Sequence, residues 1–191
     1  MNLKACIPKE FVDKHRDINI QHEWWDYIEE NFKEQMETKG IFVHRVLFSG
    51  FWSQGDGACF EGRIEDWGKY LCSIGYTDSI LHALAEDFWD LKWEHRGMYC
   101  HENSIVFIDR FLDAIEECNP YEPDDLRHDM WLANIRQYDY ESLIEEASQN
   151  IRGYMKELYR ELQEEYTSLT SDEAVCESII ANNLLTEELE Y

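Results

Sequence analysis

Apolar positions recur at helical and strand periods along most of the chain, and changes of period mark its elements. From His22 to Lys39, Trp25, Ile28, Phe32 and Met36 return at three- and four-residue steps, with Glu29, Glu30, Lys33, Glu34 and Glu37 between them. That spacing predicts an amphipathic helix, and Gly40 stands where it would stop. Ile41 to Trp52 is rich in β-branched and aromatic residues and predicts a strand. Ser53-Gln54-Gly55-Asp56-Gly57 supplies turn chemistry through two glycines able to take positive φ, and Ala58 to Ile64 returns as a second strand. A helix over Ser79–Phe88, with Ile80, Leu81, Leu84 and Phe88 on one face, precedes a second hairpin. Its strands fall near Trp93–Cys100 and Ile105–Arg110, turning at His101–Ser104.

Asn119-Pro120-Tyr121-Glu122-Pro123-Asp124-Asp125 is the clearest break in the pattern, and a short helix over Leu126–Arg136 can follow it. Tyr140 to Tyr166 reads as one long amphipathic helix. Leu143, Ala147, Ile151, Tyr154, Leu158 and Leu162 form its stripe, which Ile144, Met155, Tyr159 and Tyr166 widen. Thr170-Ser171-Asp172-Glu173 fits a capping box, with Thr170 as N-cap of a helix reaching about Asn182. The expected fold is therefore α+β: an antiparallel sheet of about four strands in two hairpins, packed with helices that include a long acidic one near the C-terminus. Without internal repeats or low-complexity linkers, 1–191 reads as a single domain. It has an irregular lead-in or short helix over 1–20, a helix-and-sheet core over 21–118 and a helical acidic part over 124–191.

Composition supports a real core, with 44% hydrophobic and 14% aromatic residues among 191. Charge narrows the partners. Forty-one acids against 17 bases give a net −24, which repels phosphate backbones and anionic headgroups, so neither direct nucleic-acid binding nor membrane association is expected. No apolar run approaches the roughly 18 residues of a spanning helix, and the first ten residues lack the apolar stretch of a signal peptide, which reads as a cytosolic protein. Residues 101–191 carry 23 acids and 6 bases, against 18 and 11 in residues 1–100. Such asymmetry suggests an interaction surface for a basic groove; the alternative is a solvated, solubilising face.

Chemistry-bearing clusters are few. The six cysteines include no Cys-x-x-Cys pair and read as free thiols. His95, Cys100 and His101 lack a second ligand cluster at metal-site spacing, so neither metal nor cofactor is expected. Ser49, Ser53 and Cys59 with His44, His95 or His101 give no nucleophile elbow or cysteine-enzyme signature, so the chain does not read as an enzyme. Asp56 and Glu61 form a carboxylate pair beside the aromatics of the first hairpin. The competing reading makes Asp56 a turn residue bonding local amides, with Phe51, Trp52 and Phe60 in the core. The partner-binding candidates are Glu145, Glu146, Glu157, Glu161, Glu164 and Glu165 on the long helix, where same-face carboxylates would sit about 5–6 Å apart, and Trp52 with Asp56 on the hairpin.

Several stretches carry a resemblance. They are Glu23-Trp24-Trp25-Asp26-Tyr27, Phe48-Ser49-Gly50-Phe51-Trp52-Ser53-Gln54-Gly55-Asp56-Gly57-Ala58-Cys59-Phe60, Tyr99-Cys100-His101-Glu102-Asn103-Ser104, and Leu158–Leu162 running to Tyr166–Ala174. Over about 23–175 the chain resembles a family of small acidic proteins of unassigned function encoded by tailed bacteriophages and mobile elements, some of them labelled antitoxin-like. The resemblance brings no catalytic residues. It implies a phage accessory protein in the host bacterial cytoplasm, and such proteins often inhibit host defence. Joined to the charge, it leads to an anti-CRISPR or anti-restriction type of inhibitor that occludes a basic nucleic-acid-binding groove, by DNA mimicry or simple blockage. The alternatives are an antitoxin-like module binding a small toxic partner, or a small enzyme using the Gly-Asp-Gly hairpin. The long helix also offers a surface for pairing with a second copy.

Overall fold

Four antiparallel strands pair in the order in which they occur along the chain, β1-β2-β3-β4. The structure is a computed structural model that describes residues 7–78, 81, 85, 89–110 and 139–187. Its elements are α1 (Lys9–Lys14), α2 (Asp26–Thr38), β1 (Ile41–Ser49), β2 (Gly57–Ile64), α3 (Trp67–Ser73), β3 (Leu91–His95), β4 (Ile105–Asp109), α4 (Tyr140–Leu169), α5 (Asp172–Ala181) and α6 (Leu184–Glu187). The α+β architecture with two hairpins and a long helix is the one the periodicities predict.

Boundaries differ from expectation where side chains take over backbone bonds. Helix α2 buries Ile28, Phe32 and Met36 as its stripe requires, and the Trp25 carbonyl accepts from the Ile28 and Glu29 amides at its entry. It ends at Gly40, whose φ of +76° and whose approach to the Asp66 carbonyl leave no room for a Cβ. Strand β1 stops three residues short of Trp52, because the next amides turn to a carboxylate instead of a partner strand. A bulge between Val43 and Arg45 shifts its register against β2. Strand β3 ends at His95 and not at Cys100, where Arg96 donates to the Ser104 carbonyl and Gly97 takes φ +119°.

Helix α3 was not anticipated. Its signal is Asp66, whose side chain accepts the Lys69 amide at 2.8 Å, followed by buried Trp67, Tyr70 and Leu71. The capping box is displaced by one residue. Ser171 caps α5 by accepting the Ala174 amide, while the Thr170 hydroxyl donates back to the Tyr166 carbonyl and closes α4. Of the helix expected over Ser79–Phe88, Leu81 and Ala85 are described, both helical and buried. The rest of it, the Asn119–Asp125 break and the helix over Leu126–Arg136 lie outside the described residues.

The chain divides into two compact units, residues 1–30 with 160–191, and residues 31–159. In the first, Val12, Val175, Cys176 and Ile179 form a core flanked by Ile7, Phe11, Ile18, Leu184 and Leu185. Lys9 and Arg16 both pair with Asp172, at 2.7 and 2.6 Å. The Asp172 carboxylate is exposed in both pairs and each contributes no more than about 1 kcal/mol, so burial of the apolar side chains carries this unit. In the second, Phe60 packs edge-on against Phe32 and Trp93, and Trp67 against Trp89. The N-terminal turns of α4 close over this core, with Asn150 donating to the Tyr70 hydroxyl and Arg152 lying 5.1 Å over the Phe107 ring.

Candidate functional site

The connection between β1 and β2 is built around one carboxylate. Asp56 Oδ2 accepts the amides of Trp52 at 2.8 Å and Ser53 at 2.5 Å, and the Asp56 amide donates to the Ser53 carbonyl. This fixed turn sends two adjacent aromatics in opposite directions. Phe51 is buried, stacked between Phe48 and Tyr159 at 6.3 and 5.7 Å. Trp52 is 74% exposed, so the reading that put it in the core is corrected, while the reading of Asp56 as the turn's own acceptor holds.

The connection between β3 and β4 lies across β2. His95 Nε2 bonds the Tyr99 carbonyl at 3.0 Å, the Ser104 amide donates to the His101 carbonyl, and the Asn103 amide donates to His101 Nδ1. The close approach of the two loops depends on glycine. A Cβ at Gly55 would sit 2.5 Å from the Tyr99 ring, and one at Gly57 would sit 2.8 Å from the Cys100 carbonyl. Only Gly55 takes positive φ, so the expected conformational role of Gly57 is replaced by a steric one. Beneath the loops Glu61 accepts twice from Arg45, at 2.8 and 3.0 Å, and once from the His95 amide. The Arg45 guanidinium, then the His95 amide, hold the Glu61 carboxyl below its usual value.

Between the loops lies an open recess of about 530 Å³ lined by Gln54, Gly55, Asp56, Tyr99, His101, Glu102 and Asn103. The Tyr99 and His101 rings are nearly parallel, with centroids 6.2 Å apart. Three large apolar side chains of these same loops face solvent: Trp52, Met98 at 86% and Tyr99 at 52% exposure. Tyr99, Met98, His101 and Glu102 were not among the expected partner-binding residues. The signal for all but Met98 was the motif Tyr99–Ser104, but only the strand order puts it beside the first hairpin's turn.

The glutamates of α4 divide between the two units, Glu145, Glu146 and Glu157 in one and Glu161, Glu164 and Glu165 in the other. Glu145 accepts from Gln149 at 2.8 Å, Glu146 accepts from Tyr76 at 3.0 Å, and Glu157 is exposed. In the other unit Glu164 pairs loosely with Arg160 at 4.0 Å. Glu165 accepts from Tyr27, whose phenol is pushed up to about 12 by partial burial and then by the Glu165 and Glu161 charges. Gln149, Arg152, Lys156 and Arg160 stand among these glutamates along α4. Arg152 donates to the Glu102 carbonyl, and Lys156 sits 3.7 Å from the Glu102 carboxylate.

Burial pushes the Cys59 thiol up to about 12 and also raises Cys100, so neither is a ready thiolate. Among the described residues no group of three or more His, Cys, Asp or Glu side chains could hold a metal ion, and no helix is long and apolar enough to cross a membrane.

A family model described as Domain of unknown function (DUF8835) matches residues 24–172. The chain belongs to this family. The DUF8835 match nearly coincides with the span of the quoted motifs and contains both loops of the recess. The chain is also 25% identical over 192 residues to the HTH-type transcriptional regulator MalT of Serratia proteamaculans (strain 568), an alignment covering 83% of this chain and 20% of that protein. The chain thus spans about a fifth of that relative's length. No solved structure matches the chain.

Proposed function

We propose that this protein is a non-catalytic binding protein that occludes a basic, nucleic-acid-handling surface of a partner. The observation that carries the reading is the convergence of two separated motif loops, which together line a recess bearing Asp56, Tyr99 and Glu102 and on which Trp52, Met98 and Tyr99 are exposed. Exposed aromatics are the anchors that dominate protein interfaces, and carboxylates beside them select a basic partner. The net charge of −24 steers such an encounter and disfavours phosphate. For the same reason the likeness to a transcriptional regulator does not lead us to a DNA-binding reading. With Arg152, Lys156 and Arg160 among its glutamates, α4 suits steering better than duplex mimicry.

In this proposal the protein is a phage-encoded inhibitor of a host defence complex, such as a restriction or CRISPR nuclease, working in the bacterial cytoplasm. Pull-down of host proteins with the tagged chain, washed at low and then high salt, tests it. A nuclease or DNA-binding complex that is lost in salt, and lost with Trp52→Ala, is expected. Recovery of the same complex by Trp52→Ala at undiminished yield sinks the assignment to the tip. One observation favours the antitoxin-like reading: the three exposed apolar side chains could hold a small partner without charge. A single small protein that survives high salt is the outcome it requires.

A further inference from the structure

We propose that the recess between the two hairpin loops is an arginine-binding site, which takes a guanidinium from the partner's surface; this rests on the binding-protein reading and names what its tip selects. Three features of the recess match a guanidinium better than an ammonium. Its wall is the half-exposed Tyr99 ring, set nearly parallel to His101 and backed by Gly55. A planar, weakly hydrated guanidinium stacks on such a ring, whereas a compact ammonium keeps its water. Its carboxylates, Asp56 and Glu102, stand on separate loops lining the same space. One Asp56 oxygen is committed to the Trp52 and Ser53 amides, which orient the group from behind. The Gln54 and Asn103 amides add acceptors for the outer N–H groups of the fork.

The competing cation is Lys156. It reaches Glu102 only at 3.7 Å and is 66% exposed, so a bidentate guanidinium displaces a loose contact and not a buried pair. A volume of about 530 Å³ holds an arginine side chain together with the backbone that carries it, which fits a loop presented by a protein. Basic grooves that grip nucleic acid offer such arginines, and the recess discriminates among them by shape as well as sign.

The test uses the whole chain and two synthetic peptides, Gly-Arg-Gly-Arg-Gly and Gly-Lys-Gly-Lys-Gly, followed by calorimetry and by NMR shifts of the Tyr99 and His101 rings. The arginine peptide is expected to bind about tenfold tighter than its equally charged lysine counterpart. Its resonance shifts should centre on Tyr99, His101 and Asn103. Tyr99→Leu and Glu102→Gln should each abolish the preference, with unchanged thermal melts showing that the fold persists. Equal binding of the two peptides overturns the arginine site while leaving a basic partner in place. A preference that survives both variants overturns it by locating the contact elsewhere. Absence of binding by either peptide overturns it as well, and the host pull-down then decides independently whether the binding-protein reading stands.

Discussion

The hairpin tip and the outward side of α4 carry the same chemical group, the carboxylate, in opposite settings. At the tip Asp56 is held by two backbone amides, and beneath it Glu61 is held by a bidentate arginine and a third amide. On α4, Glu145 and Glu157 end long, exposed side chains, and Glu164 has only a 4.0 Å contact to Arg160. A fixed carboxylate can recognise one geometry, because its ordering entropy is already spent in folding. An exposed one contributes charge chiefly to the field of the whole molecule.

The largest effect should come from the contact that locks the tip. Gly57→Ala places a Cβ against the Cys100 carbonyl, and the expected cost is about 1–3 kcal/mol in a denaturant melt. A smaller loss would mean that the loops are not interlocked and would erase the contrast with α4. Next comes Trp52→Ala, which should leave the melt within about 0.5 kcal/mol because the ring is 74% exposed, yet weaken partner binding by about 2 kcal/mol. A variant that binds undiminished transfers recognition away from the tip.

Glu61 gives a pH test of intermediate size. Its folded pKa lies below the ordinary 4.5, so its contribution is fully present above that value and fades as the pH falls through the folded pKa. Glu61→Gln should cost about 1 kcal/mol near neutrality and converge on the parent in acid. Parallel pH profiles for the two would show that the bidentate pair contributes nothing. The smallest effects belong to α4: Glu145→Lys, Glu157→Lys and Glu164→Lys should each change stability by no more than about 0.5 kcal/mol. Their influence on binding should appear in the on-rate and vanish at high salt. A large salt-independent loss for any of them would restore the helix as the contact surface.

What could be read from the sequence divides along the range of the interactions. The α2 stripe, the first hairpin and the long helix follow from the spacing of Ile28, Phe32 and Met36, from Val43 and Phe60, and from Leu143 to Leu162, where the period itself is the cause. Trp52 was legible as a binding candidate, but its direction depended on Asp56 drawing the amides of residues 52 and 53. Thr170 and Ser171 could each cap a helix by type; the Thr170 hydroxyl turns back to the Tyr166 carbonyl, which also accepts the Thr170 amide, and the cap falls to Ser171. The recess was illegible because Gly55 and Tyr99 are 44 residues apart, and only pairing β2 with β3 makes them neighbours.

Sequential strand order also bears on how the sheet assembles in time. The eight registered pairs of β1 with β2 enclose a short turn, and the five of β3 with β4 enclose a short loop. The middle seam has two registered pairs, Gly62 with Trp93 and Arg63 with Lys92, and must close the whole of residues 65–90. Loop closure therefore favours each hairpin zipping locally before the seam joins them. The seam should also be the first place where the sheet breathes, so amides of Arg63 and Trp93 exchange with solvent ahead of those in the middle of β1 and β2. The two loops of the tip stand on opposite sides of that seam, and every opening of it would part them and dismantle the recess.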